Sequence, residues 1–186
     1  MSKRAPSISF KPSGSNKPCT TIINGDLKVK GNLNAKIQIP KDPQTIKSGF
    51  LAFNSNPQTI NTGETTINFN TESFDIGNDY DISTNQFTAS SNGYYQINSN
   101  IEITSTSNAS IEFEFELRIY VNSQIISTGS INYQPGSILP IYPNISAFTN
   151  LNTNDTVEIK AFVTFNGGIA TLTIDPKHFS IAQIGI

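Results

Sequence analysis

The chain has 186 residues, with twelve Lys and Arg, fourteen Asp and Glu and one His, for a net charge of −2; 36% of it is hydrophobic and only 14% charged. That length suits one β-sandwich with a tail better than two domains, and a charge so near zero argues against charge-driven disorder and against a general nucleic-acid binder, which needs a basic face to displace counterions. A single cysteine, Cys19, excludes an intrachain disulfide. No apolar run after Met1 reaches the length of a signal-peptide core, and none elsewhere reaches that of a membrane span. The expectation is a protein made in the cytoplasm without a signal peptide. Its polarity comes mainly from Asn, Ser and Thr, residues suited to turns and to the solvent faces of strands.

Residues 1–40 read as an extended N-terminal arm. The first twenty hold Pro6, Pro12, Pro18 and Gly14, with local positive charge from Lys3, Arg4, Lys11 and Lys17. From residue 21 to 39 the pattern changes. Leu27, Val29, Leu33, Ala35, Ile37 and Ile39 fall on odd positions, with Lys, Asn and Gln between them, and a period of two means extended strand. A lone strand cannot bury such a face and carries unpaired backbone groups that invite pairing with another chain. Leu27, Val29, Leu33, Ile37 and Ile39 are therefore the expected docking face of the arm. The echo of Gly25-Asp26-Leu27 in Gly31-Asn32-Leu33 is similar to shaft and collar segments of viral fibres. Pro40 and Pro43 break the pattern and set off a second domain, residues 41–186.

From Gly49 onward the turn residues separate a series of strands, expected at about 49–54, 65–70, 85–89, 93–104, 110–122, 124–133, 137–148, 156–166 and 169–185. In Ile111-Glu112-Phe113-Glu114-Phe115-Glu116-Leu117-Arg118-Ile119-Tyr120-Val121 every odd position is apolar, while Glu112, Glu114, Glu116 and Arg118 take the other face. That is one wall of a sandwich, core side in and solvent side out. Many short strands with Gly, Asn and Pro turns and no amphipathic helix predict an all-β, antiparallel two-sheet fold.

A more specific signal runs through Ile67-Asn68-Phe69-Asn70, then Phe74 to Asp81, then Thr84-Asn85-Gln86-Phe87-Thr88-Ala89, then Gly93-Tyr94-Tyr95-Gln96-Ile97. This series resembles the globular head of the complement C1q and tumour-necrosis-factor-like superfamily. That family has a Phe in an early strand, an aromatic-Asp pair (here Tyr80-Asp81), a Phe-Thr before a turn, and Gly-x-Tyr-x-Phe, matched by Gly93, Tyr95 and Ile97. Ile97 replaces the usual Phe, and Ser90 or Ser91 replaces a frequent Pro. Downstream, Val121-Asn122-Ser123-Gln124 stands where the family has a strand and an Asn-Gly turn. Leu151 to Val157 is similar to its Leu-x-x-Gly-Asp-x-Val, with Asn154 for Gly, and Phe179-Ser180-Ile181-Ala182 to its closing strand.

The resemblance covers about residues 49–186. It implies a jelly roll that forms a homotrimer around a threefold axis through an aromatic and aliphatic face, usually capping a stalk. With no collagen-like repeat and no heptads, the 21–39 region would be that stalk or anchor. The residues themselves agree with it. Gly93 is needed where a turn meets a strand at close backbone approach. Phe69, Phe87, Tyr95, Phe113, Phe115 and Phe179 are large apolar bodies for a sandwich core, each costing roughly 3–5 kcal/mol if truncated to Ala.

Chemistry-bearing residues are few. His178 is the sole histidine and has no nucleophile partner in sequence, so an ordinary loop or strand-end histidine is expected. Asp75, Asp79 and Asp81 could offer oxygen ligands to calcium, but solvated turn carboxylates fit better, and no metal or cofactor site is expected. Glu112, Glu114 and Glu116 read as a solvent face, or else a contact for a basic partner. Asn-x-Ser/Thr triplets begin at Asn108, Asn144 and Asn154 and matter only in a secretory pathway.

These readings converge on a non-catalytic structural protein: a trimeric virion spike, fibre head or capsid-associated protein, its arm docked on other particle proteins. The alternative is a trimeric module of bacterial or eukaryotic origin that binds a receptor or glycan.

Overall fold

The computed structural model describes residues 48–54 and 56–185. The arm expected over residues 1–40, its docking face of Leu27, Val29, Leu33, Ile37 and Ile39, and Cys19 lie outside the described residues.

Twelve strands make up the described chain: β1 Gly49–Phe53, β2 Gln58–Ile60, β3 Gly63–Thr66, β4 Thr71–Ile76, β5 Tyr80–Asp81, β6 Gln86–Thr88, β7 Gly93–Thr106, β8 Glu112–Val121, β9 Gln124–Tyr133, β10 Asn144–Leu151, β11 Thr156–Asn166 and β12 Leu172–Gly185. They form two antiparallel sheets. The first has the order β10-β7-β12-β1-β4, with β2 also on β12; the second has the order β5-β6-β11-β8-β9, with β3 also on β11. This is the expected two-sheet jelly roll.

Local chemistry explains the elements. The alternation of 111–121 builds β8, with Phe113, Phe115, Leu117 and Ile119 fully buried. The β8–β9 hairpin turns over Asn122 and Ser123, both at positive φ (49° and 65°), the handedness that matches strand twist in a two-residue turn. The Asn122 amide fastens this turn to the next strand: its Nδ2 donates to Asp155 at 2.7 Å, and its Oδ1 accepts from the Thr156 N–H at 2.9 Å.

The structure corrects several boundaries. The strand expected at 137–148 begins only at Asn144, because Pro140 and Pro143 offer no ladder donor; Ile141 alone makes an isolated bridge, to Ile103. The strand expected at 65–70 ends at Thr66; beyond it the Ile67 N–H bonds to Ile159 and the Phe69 N–H to the Asn85 side chain. β12 starts at Leu172 rather than 169, after a turn through Gly167 at φ 98°. β2, β4 and β5 lie outside every expected strand. His178 sits inside β12, beside a register shift, not at a loop or strand end.

The core fills the space between the inner faces. Phe69, Phe87, Tyr95, Ile97, Phe113, Phe115 and Phe179 are all fully buried in one continuous core, within which the ring contacts form two groups. Phe50 centres the first, stacked on Tyr80 at 4.3 Å and Phe87 at 5.5 Å and edge-on to Phe179 at 4.8 Å; Phe69 joins through Phe179, and Tyr95 through Phe87. In the second, Phe113 stacks on Tyr133 at 4.6 Å and meets Phe165 at 6.0 Å. Such aromatic pairs add about 0.5–1.5 kcal/mol each beyond area burial. The two buried phenols near the first group bond backbone oxygens, Tyr80 to Phe69 and Tyr95 to Ser91.

Candidate self-association face

β7 alternates strictly from Gly93 to Ile103. Tyr95, Ile97, Ser99, Ile101 and Ile103 point into the core, so Tyr94, Gln96, Asn98 and Asn100 point out. Paired residues of antiparallel strands share a side, and the register therefore maps the outer face of the first sheet. One row runs Phe148–Gln96–Ala182–Gly49–Ile76, and the next Ser146–Asn98–Ser180–Leu51–Phe74. Small residues occupy the middle. Large apolar side chains flank them: Tyr94 and Phe148, 47% and 60% exposed, on one side, and Phe74 and Ile76, 50% and 45% exposed, on the other. Tyr94 and Phe148 stack at 5.6 Å with planes 9° apart.

Further along the sheet the same face turns polar. His178 pairs with Asn100, which pairs with Asn144. The Asn100 Oδ1 is buried and accepts no hydrogen bond from the described residues. Burial pushes the His178 imidazole below its ordinary pKa. Next comes Lys177, set between Asp175 at 2.5 Å and Glu102 at 2.6 Å, hydrogen bonds that hold its ammonium above the usual range.

The outer face of the second sheet is built differently. Arg118 lies over the Phe162 ring at 4.3 Å and Lys160 over the Tyr120 ring at 4.6 Å. Glu64 receives the Tyr120 hydroxyl, which is the main cause of its lowered carboxyl pKa, with Lys160 and Arg118 adding to it. Arg118 also pairs with Glu116 at 2.6 Å, and Lys160 with Glu158 at 3.3 Å. Glu116 and Arg118 of the expected solvent strip thus belong to an ordered ionic lattice, and Tyr120 beside them is buried. A face already satisfied by its own ion pairs gains little from a copy of itself, whereas the apolar flanks of the first sheet do gain from leaving water.

The remaining sequence candidates serve the fold. Asp75 accepts the N–H groups of Asp79 and Tyr80, Asp79 the hydroxyl of Ser90, and Asp81 the N–H and hydroxyl of Ser83. Among the described residues no group of three or more His, Cys, Asp or Glu is placed to hold a metal ion, and no helix is long and apolar enough to cross a membrane. Glu112 accepts from Gln134 at 2.6 Å. Gly93 is buried, and a Cβ there would stand 2.6 Å from Gln183 Nε2 and against the Gly185 carbonyl oxygen. The apolar flanks escaped the sequence reading. The signal for one was present, since Tyr94 must face away from the core if Tyr95 faces into it.

Comparison with known proteins places this geometry. The globular domain of zebrafish complement 1qA superposes with a TM-score of 0.53 at 17% identity, over 74% of this chain and 98% of that one. Murine APRIL superposes with a TM-score of 0.52 at 8% identity over 74% and 98%, and Eiger TNF from S. frugiperda with 0.50 at 10% identity over 74% and 90%. A search of curated proteins returned no match. The family model described as C1q domain matches residues 49–180, the span that folds into the two sheets from β1 into β12. The chain therefore belongs to the C1q domain family.

Proposed function

We propose that three copies of the head pack around a threefold axis through the outer face of the first sheet, and that the trimer is a non-catalytic structural part of a virus particle: a spike, fibre head or capsid-associated protein at the virion surface, anchored by residues 1–40. The observation that carries the trimer is the exposed Tyr94–Phe148 stack on one flank of a face whose other flank is Phe74 and Ile76. A closed ring uses a head-to-tail contact between two different patches, and one protomer's aromatic flank meeting the Phe74–Ile76 flank of the next supplies both. The non-catalytic reading rests on the family and on the employment of the acidic side chains in turns and ion pairs. The particle role rests on the fibre-like alternation of residues 21–39.

Light scattering of the full chain at micromolar concentration should give three times 20.3 kDa; a monomer overturns the trimer. Mass spectrometry should find the protein in purified virions rather than the soluble fraction, and deleting residues 1–40 should abolish its incorporation. A second reading, a trimeric receptor- or glycan-binding module of a cell, is favoured by Ile138 and Ile169. They are 86% and 95% exposed on loops at the end of the sandwich away from Gly93 and Gly185. Recovery from a cell surface rather than from particles would select it.

A further inference from the structure

Three Asn-Gly pairs stand in the chain: Asn92-Gly93, Asn166-Gly167 and Asn24-Gly25, the last outside the described residues. Such a pair carries a reaction of its own. The glycine backbone nitrogen attacks the side-chain carbonyl carbon of the asparagine, and no Cβ on the glycine obstructs the approach. A C–N bond forms, closing a succinimide ring. The side-chain amide nitrogen leaves as ammonia, taking up the proton of the glycine N–H. Water then adds to one of the two ring carbonyls and opens the imide. The product is aspartate, or isoaspartate, whose main chain runs through the side-chain carboxyl.

The fold treats the two described pairs in opposite ways. Asn92 is pinned, its Oδ1 accepting the Thr153 N–H at 2.7 Å and the Thr153 hydroxyl at 3.1 Å. Gly93 beside it is buried at the foot of β7, paired with Leu151 and packed against Gly185 and Gln183. Attack there requires Asn92 to leave Thr153 and Gly93 to leave its strand. Asn166 ends β11, and it, Gly167, Gly168 and Ile169 are all exposed. No hydrogen bond from a described residue holds the Asn166 side chain or the Gly167 N–H. Gly167 lies at φ 98° with open space around it, and a second glycine follows. This turn is therefore free to bring nitrogen and carbonyl together.

We infer that Asn166 is a self-modifying site that deamidates in the folded protein, while Asn92 is protected by the fold. The register pairs Asn166 with Glu112, and paired residues share a side. The new carboxylate therefore arises opposite an existing one. Glu112 has only a neutral donor, Gln134. The cations Arg118, Lys160 and Lys177 each bridge two carboxylates elsewhere. Like charges directly opposed across two strands destabilise them. The isoaspartate product also lengthens the main chain at the mouth of the turn that displays Ile169, so the head alters with its age. The inference depends neither on the trimer nor on the particle role.

The test incubates the full-length protein, folded and in urea, at mildly alkaline pH. Mass spectrometry then maps the Asn-Gly peptides, with chromatography separating aspartate from isoaspartate. In the folded protein Asn166 should convert at least about tenfold faster than Asn92, which must wait for local opening of β7. In urea the two rates should converge. Asn166→Asp should lower the melting temperature at neutral pH, and adding Glu112→Gln should restore most of the loss. An Asn166 that keeps its amide overturns the inference, as does an Asn92 that converts equally fast in the folded protein. A gap between the two rates that persists in urea overturns the protection by the fold. A loss in Asn166→Asp that Glu112→Gln does not restore overturns the contact between the two charges.

Discussion

Tyr94 of β7 and Phe148 of β10 stack face to face on the outside of the first sheet, about half exposed, with their planes 9° from parallel. Exposed aromatic pairs of this kind are costly to leave in water and mark contact surfaces. Phe148→Asp should change the stability of the protomer little, since surface substitutions stay within about 0.5 kcal/mol. It should nonetheless convert the proposed trimer to monomers. Sedimentation of the variant beside the parent checks this, and a variant that remains trimeric moves the interface elsewhere.

Gly93 is held to glycine by proximity. A methyl there would collide with the Gly185 carbonyl and with the Gln183 amide, which itself bonds Ser91 Oγ at 3.0 Å and the Asn92 carbonyl at 3.2 Å. The nearest obstacle is backbone and cannot swing aside. Gly93→Ala should lower stability by about 1–3 kcal/mol, the usual cost of overpacking a filled site, seen as a lower urea midpoint at unchanged slope.

Ser123 occupies a left-handed position, φ 65°, in the β8–β9 turn. Glycine takes that conformation without steric cost, and a β-branched residue takes it worst. Ser123→Gly should stabilise by about 0.5 kcal/mol after the added unfolded-state freedom is counted, and Ser123→Val should destabilise by about 1–2 kcal/mol. Thermal melts of the three proteins should rank Gly above Ser above Val.

His178 makes stability depend on pH. Burial lowers its folded-state pKa, so the unfolded chain takes up the proton more readily. The contribution is present above the unfolded value of about 6.5 and is lost as pH falls through the folded one. The groups around it sharpen the test: Asn100 faces it across the strand pair, and the neighbouring Lys177 is already held by Glu102 and Asp175. With one histidine in the chain, the denaturation midpoint of the parent should hold level from about pH 7.5 downward and begin to fall only below about pH 6.5. In His178→Asn the onset of the fall there should be absent, and an equal fall assigns the effect to another group.

The sequence by itself determined which strands exist wherever one face is buried. Alternation at 111–121 and 156–166 became β8 and β11, because a two-residue period leaves only one way to hide Phe113, Phe115 and Val163. The motif Gly93-x-Tyr95-x-Ile97 likewise located the foot of β7. It did not reveal β4, where Phe74 and Ile76 lie on an outward side of a sheet edge, so the apolar pattern carries no message about the core. Tertiary structure alone decided the candidate face. Phe148, Gln96, Ala182, Gly49 and Ile76 come from five separate strands and form one row only because of strand order and register. Period two tells each strand which side of a residue is in, but not which strand lies beside it. Contacts between residues distant in sequence, such as those of the Phe50–Tyr80–Phe87–Phe179 cluster between the sheets, are encoded by no local pattern.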